Sequence, residues 1–296
     1  MLILARFTAH SDYTAVIERP LNFGEILDKE LKIISLILAA GRGTRMKGFE
    51  GNKTLLPLIE KKSPFDGEEP IIIHILGSLP AGPKAVVVHH KKQEVIHATR
   101  HLGLTYCEQP LLNGTGGALL AAKDFILSQV LDYLIITMGD VPFVRYSTFS
   151  HLVRGLKNSS MVVLGFRTNH KKQYGMLEVE GDEVRRIIEW KYWSTYPEER
   201  QAQLRICNSG IYAARRDDLI PYLRILEKNP HTVLKERNGT RVELEEYFIT
   251  DLIEYMHTDG LKVGYVLAED EDEVMGIDDL PSLMKARKIF KHLSME

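Results

Sequence analysis

The run IISLILAAG, residues 33–41, contains no polar residue except Ser35 and ends in glycine. A strand with one face in water alternates apolar and polar side chains, so a run without alternation has to be covered on both faces. KAVVVHH (84–90) and DYLIITMGD (132–140) read the same way, and helix-length amphipathic segments lie between such runs: EPIIIHILGSLP (69–80), QEVIHATRHLG (93–103) and GGALLAAKDFILSQV (116–130). Strand and helix in alternation predict an α/β architecture, a doubly wound, mostly parallel sheet. TYCEQP (105–110) supplies a further strand.

The second half changes character. SMVVLGFRT (160–168), GMLEVEGDEVRRIIEW (175–190) and RICNSGIYAA (205–214) predict longer strands, with a hairpin turning at Gly181-Asp182, in a mixed sheet that extends the first. EEYFITDLIEYMHTDG (245–260) and LPSLMKARKIFKHLSM (280–295) predict helices, with KVGYVLAED (262–270) a strand between them. Residues 1–31 read as an appendage, helix-like over NFGEILDKELK. Residues 32–296 read as the main domain, a first half to about 141 and a second half beyond it.

The net charge of -2 gives no bulk attraction for nucleic acid or an anionic membrane, so any affinity for negative charge has to be local. Two cysteines, Cys107 and Cys207, are too few for a disulfide framework, and no signal-peptide core or 18-residue apolar run occurs. These features predict a cytoplasmic protein.

Local positive charge is found after the first strand, at Arg42, Arg45, Lys47 and Lys53. In an open parallel sheet the ligand crevice lies at the carboxyl ends of the strands. Gly41 and Gly43 let backbone N–H groups approach an anion there, and Thr44 can start the next segment. Arg45 and Lys53 add cations suited to a triphosphate. The pattern is neither the P-loop nor the dinucleotide-binding fingerprint. A second glycine stretch, QPLLNGTGGA (109–118), follows another strand. Its Gln109 carries a donor and an acceptor in one plane, which suits a pyrimidine edge, uracil or cytosine alike, while Gly114 and Gly116 expose backbone groups or permit close helix packing. Asp140 follows a buried strand directly and is a natural Mg²⁺ ligand beside phosphates, with Asp278 of VMGIDDL its best partner. Glu189 and Asn208 have the planar hydrogen-bonding groups a hexose needs. His89-His90 reads as a surface pair.

Taken in order, LAAGRGTRM, Lys53, QPLLNGTGGA, GDVP, YG, EWK, YPEERQAQLRICNSGIYA, EEYFITDLI and GIDD resemble the uridylyltransferase (pyrophosphorylase) domain of N-acetylglucosamine-1-phosphate uridylyltransferases, from about Ile33 to the C-terminus. The resemblance implies a Rossmann-like nucleotidyltransferase fold of glycosyltransferase-A type with a mixed-sheet sugar-binding half. It implies that Leu38, Ala39, Ala40, Gly41, Gly43 and Thr44 line the nucleotide, that Arg45 and Lys53 hold phosphates, and that Gln109, Gly114 and Thr115 read uracil. Met138, Gly139 and Asp140 would lie along ribose and metal, Gly175, Glu189, Asn208 and Thr250 would bind the sugar, and Asp140 with Asp278 would hold Mg²⁺. The implied substrates are UTP and a sugar 1-phosphate, with N-acetylglucosamine 1-phosphate favoured. Alternatives are another base, another sugar or alcohol phosphate, or a non-catalytic nucleotide-sugar binder. Asn52 stands where the family usually has proline, Asp278 where it usually has asparagine, and Met138 and Phe248 where aromatic hydroxyls are common. The hexapeptide-repeat acetyltransferase domain of bifunctional members is not in the sequence, so acetyl transfer is not expected.

Overall fold

The computed structural model describes residues 33–237 and 240–295; the expected appendage over 1–31 lies outside the described residues. Its strands are β1 (Ile34–Leu38), β2 (Pro57–Ser63), β3 (Asp66–Pro70), β4 (Lys84–Val88), β5 (Thr105–Glu108), β6 (Tyr133–Met138), β7 (Met161–Phe166), β8 (Met176–Glu180), β9 (Glu183–Ile188), β10 (Cys207–Arg215), β11 (His231–Arg237), β12 (Thr240–Glu246) and β13 (Val263–Leu267). The helices are α1 (Ile71–Ser78), α2 (Lys92–Thr99), α3 (Gly114–Ala121), α4 (Lys123–Ser128), α5 (Tyr146–Gly155), α6 (Trp190–Trp193), α7 (Glu198–Gln203), α8 (Arg216–Lys228), α9 (Thr250–Thr258) and α10 (Leu280–Leu293). None of the described helices is long and apolar enough to cross a membrane.

Nine strands form one sheet in the order β5-β4-β1-β6-β10-β7-β13-β9-β8. The four from β5 to β6 run parallel, and their registers match Leu38 with Val87 and Met138, and Val88 with Glu108. All four therefore end at nearly the same level. The segments that follow them, beginning at Ala39, His89, Gln109 and Gly139, gather at one edge. The chain also reverses direction there, since β4 and β5 lie on one side of β1 and β6 on the other, the place where a crevice opens.

Both faces are covered, as the uninterrupted apolar runs require. Ile33, Ile37 and Ala39 pack into one core layer, and Ile34, Leu36 and Ala40 into the layer on the opposite face. Each such aliphatic side chain contributes roughly 1.5–3 kcal/mol when fully removed from water.

Beyond β6 the sheet is mixed, as expected for the second half, and the continuous parallel run is confined to β5-β4-β1-β6. β10 runs antiparallel to both β6 and β7, and β9 antiparallel to β13 and β8. Reversal brings the start of β10, rather than its end, to the crevice edge, where Cys207 and Asn208 pair with Phe166 and Gly165. The expected β8–β9 hairpin turns at Gly181-Asp182, with Gly181 left-handed at φ +61. Its open end sets Met176 opposite Ile188, so Gly175 and Glu189 are neighbours.

Three expectations change. The helix read over 116–130 divides into α3 and α4 at Ala122, whose N–H takes a tighter bond to Leu119 O. The helix read from Glu245 starts at Thr250, because Glu245 and Glu246 still belong to β12. Two hairpins outside the main sheet, β2–β3 and β11–β12, were not anticipated. Gly181 gives a clean test of turn strain, since a Cβ there would meet nothing within 4 Å. Gly181→Ala should cost about 1–2 kcal/mol through its left-handed backbone alone, seen as a lower denaturation midpoint with an unchanged slope.

Candidate active site

The loop after β1 is anchored on both sides, by Ala39 N–H to Val87 O at 2.9 Å and Gly139 N–H to Leu38 O at 2.9 Å. Ala39 and Ala40 are buried, but Gly41 comes out to the surface, and a Cβ on it would meet no atom within 4 Å. Packing therefore does not demand this glycine; the bare backbone faces open space. Gly43 is required by the protein itself: it is left-handed at φ +61, and a Cβ there would come within 3.2 Å of the Lys53 stem. Met46, buried in the core, pins the rest of the loop.

Asn52, completely buried, fixes the direction of the next residue. Its amide donates to His90 O at 2.8 Å and Ala39 O at 3.3 Å, and its carbonyl oxygen accepts from Thr54 N and Thr54 Oγ1 at 3.0 and 2.8 Å. Three loops are thereby tied at the root of Lys53. The Lys53 ammonium reaches Asp140 and, at 2.8 Å, Asp278; Arg45 adds a contact to Asp278 at 3.1 Å. Asp278 is drawn in by Ile277 N–H to Asp140 O at 2.9 Å and sits just before the Asp279/Ser282 capping box that opens α10.

Burial by itself lowers the Lys53 pKa, but Asp140 and Asp278 together outweigh it and hold the ammonium above the usual 10.5. A raised folded value means that the pair's stabilisation is fully present below pH 10.5 and fades only as pH climbs through the higher value, so the group is charged at neutrality. Two carboxylates converging on one cation are also the donor set a hard divalent ion accepts, the remaining positions going to water and phosphate oxygens. Among the described residues no cluster of three or more His, Cys, Asp or Glu offers a closed metal cage.

A cleft of about 530 Å³ opens beside this group, lined by Leu38, Ala39, Ala40, Gly41, Arg42, Arg45, Lys53, Gln109, Gly114, Thr115, Met138 and Asp140. Gly43, Thr44, Gly139 and Asp278 are not among its walls. Gln109 is buried, with its amide donating to Asn113 Oδ1 at 3.0 Å and Gly114 O at 3.2 Å. The glycines after it serve packing. Gly116 N–H is already taken by Tyr247 O at 2.8 Å, and a Cβ at Gly114 or Gly116 would collide with Tyr247 backbone atoms at 2.3 or 2.7 Å. This interlock brings Glu246 and Phe248 to the cleft wall. The His89-His90 pair is half-buried rather than at the surface: His89 Nδ1 donates to Gln109 O at 2.7 Å, and His90 O holds Asn52.

Gly175, Glu189, Asn208 and Thr250 meet a short way along the same edge. Asn208 N–H donates to Gly175 O at 2.8 Å, Thr250 Oγ1 to Glu189 Oε1 at 3.1 Å, and Asn208 Nδ2 to Tyr212 OH at 2.9 Å. Asn208, still paired with Gly165, and Tyr212 flank a register break in β10 that carries Gly210 at φ +80, a local departure from the ladder. Burial raises the Glu189 carboxyl above its ordinary pKa, against the opposing bond from Thr250. Both Glu189 and Thr250 line a second cavity of about 960 Å³, which shares Glu246 and Phe248 with the first. Cys107 and Cys207 are buried with raised thiol pKa values, Cys207 to about 11, so neither is a nucleophile at neutral pH.

Sequence reading noted Asn52 only as a departure from the family's proline and missed its anchoring role, and it missed Glu246 and the His231–Asp251 pair (2.9 Å) beside the second cavity. For Asn52 the available signal was a short amide immediately before a basic turn; for the others it was the alternating pattern on either side of Asn238-Gly239, which marks a hairpin.

The bifunctional protein GlmU of Rhodopseudomonas palustris is 32% identical over 265 residues, covering 87% of this chain and 52% of that protein. The chain thus spans about half the length of the curated relatives it matches. The crystal structure of the uridine diphosphate N-acetylglucosamine pyrophosphorylase from Trypanosoma brucei superposes with a TM-score of 0.68 at 12% identity, covering 89% of this chain and 66% of that one. A Methanothermobacter nucleotidyl transferase superposes at 0.56 and 21% identity, covering 88% and 99%. The fold is that of nucleotidyltransferases, and the model of the MobA-like NTP transferase domain matches residues 35–226. The chain belongs to the MobA-like NTP transferase domain family.

Proposed function

We propose that the chain joins UTP to a sugar 1-phosphate, N-acetylglucosamine 1-phosphate first among the acceptors, giving the UDP-sugar and pyrophosphate. The observation that carries this reading is the convergence of Asp140 and Asp278 on Lys53 beside the open backbone of Gly41. The nucleotide belongs in the 530 Å³ cleft of the first half, residues 32–141, and the sugar between Gly175, Glu189, Asn208 and Thr250 of the second, on a doubly wound scaffold of glycosyltransferase-A type. The uridine diphosphate N-acetylglucosamine pyrophosphorylase whose fold this chain shares supports the choice of acceptor.

An oxygen of the sugar phosphate attacks the α-phosphorus in line; the bond from that phosphorus to the bridging oxygen breaks, and pyrophosphate leaves with the electron pair. The acceptor is itself the nucleophile, so positioning and charge neutralisation are what the protein has to supply. Arg45 and Lys53, which now contact Asp278, would offset charge on the attacked and departing groups. Asp140 and Asp278 would hold Mg²⁺, which when bound supplies Lewis-acid charge neutralisation to the phosphates. Gln109 would face the base with its carbonyl oxygen, its amide hydrogens being held by Asn113 and Gly114, with Met138 along the ribose and Leu38 and Ala40 beneath it.

Pyrophosphate release with a panel of nucleoside triphosphates and sugar phosphates tests the assignment, UTP with N-acetylglucosamine 1-phosphate being the expected best pair. Stabilisation by a UDP-sugar with no turnover for any pair would make the chain a nucleotide-sugar binder instead. Asp140→Ala should retain its circular dichroism and lose turnover by at least about 1000-fold, and near-normal activity would contradict its role.

Lys53→Ala leaves Asp140 and Asp278 facing each other without a shared cation. In chelator it should lose about 2 kcal/mol, less than a fully buried pair would because both carboxylates are partly solvated, and so melt roughly 4–8 °C below wild type. Millimolar Mg²⁺ should recover much of that loss and add less to the wild type. Identical melting of the variant in Mg²⁺ and in chelator would overturn the metal assignment.

A further inference from the structure

The second cavity is larger than the first, about 960 against 530 Å³, yet the proposed sugar groups Glu189 and Thr250 line only one wall of it. Past them it continues between α6 on one side and the start of β11 on the other. Its lining alternates rings and planar polar groups: Trp190, Tyr192, Tyr196 and Phe248 among the former, His231 and Asp251 among the latter. Three large apolar side chains are left exposed around this one space, Trp190 at 40%, Tyr192 at 51% and Leu234 at 66% of their surface. Such a concentration marks a place where something is bound.

The rings are held in place. His231 donates to Asp251 at 2.9 Å and packs edge-on to Phe248 at 5.2 Å between centroids, while the Lys191 ammonium lies 4.7 Å from the centre of the Tyr192 ring. A hydrocarbon substituent would cover the rings but offer no further hydrogen bond to the polar edges of Glu189, His231 and Asp251, the first of which is bonded to Thr250 and the other two to each other. A pyranose satisfies both demands, offering C–H faces to aromatic rings and hydroxyls to planar side chains.

We infer that this cavity is a binding site for a second sugar ring, so that the acceptor is a sugar 1-phosphate extended by a further saccharide unit at the end away from its phosphate. This rests on the proposed transferase reading for the first ring, and the cavity carries the extension. Glu246 and Phe248 border both spaces, so the second cavity lies next to the cleft that holds Asp140.

The test compares N-acetylglucosamine 1-phosphate with the 1-phosphate of its β-1,4-linked disaccharide, with UTP and Mg²⁺, on the full chain and on Tyr192→Ala. The disaccharide phosphate should show a KM lower by about tenfold, equivalent to about 1.4 kcal/mol of added binding. Tyr192→Ala should erase that difference and leave the monosaccharide KM unchanged. A second readout needs no turnover: Trp190 and Trp193 are the two tryptophans of the chain, so the unphosphorylated disaccharide should quench intrinsic fluorescence in wild type and much less in the variant. Equal KM values for both acceptors, or turnover of the monosaccharide phosphate alone, would overturn the inference. Quenching without turnover of either acceptor would sink the transferase reading while supporting the saccharide site.

Discussion

Lys53 sits between carboxylates delivered by segments far apart in sequence, and the cleft depends on that ion group. The contact to Asp278 spans 225 positions along the chain. An unpaired ammonium at this depth would cost several kcal/mol, so Lys53 stays charged only because Asp140 and Asp278 come to it. The same attraction fastens the segment before α10 onto the end of β6, with Ile277 N–H to Asp140 O as its backbone rivet. Arg45 contributes less to stability, being 73% exposed, and is free to follow a ligand.

Why the site lies at this edge follows from strand direction. Parallel strands end together, so β1, β4, β5 and β6 release their loops at one level, and no single loop has to be long. The antiparallel β10 adds residues from its beginning to the same level, which is how Asn208 comes to lie beside Gly175 and Glu189. Asn52 then joins the β1 and β4 loops to the Lys53 turn through side-chain bonds alone.

Much of this was legible in the sequence where burial dictates composition. The runs at 34–38, 84–88 and 133–138 could be nothing but doubly covered strands, and their final residues pointed to Gly41 and Asp140. Strand direction was not legible, since RICNSGIYAA is apolar whichever way it runs. The hairpin β2–β3 was hidden because PLIEKKS and DGEEP are largely exposed and carry no buried face to set a period. Glycines misled in the other direction. Gly41 and Gly116 look alike in sequence, yet one borders open space and the other is filled by the backbone of Tyr247.

The charges of the site also set what can enter it. Asp140 and Asp278 carry two negative charges, Lys53 and Arg45 two positive ones, so the group is neutral by itself and has little reason to attract a lone anion or a lone cation. On the proposed reading Asp140 and Asp278 would hold the divalent ion that accompanies a nucleoside triphosphate, and Lys53 and Arg45 would then pair with its phosphates. Each charge keeps an opposite neighbour throughout, which avoids the desolvation cost of uncovering a bare ion in a half-buried cleft. On that reading the arrangement would favour the complex of metal and polyphosphate over either component alone, through charge pairing before any contact to base or sugar is made.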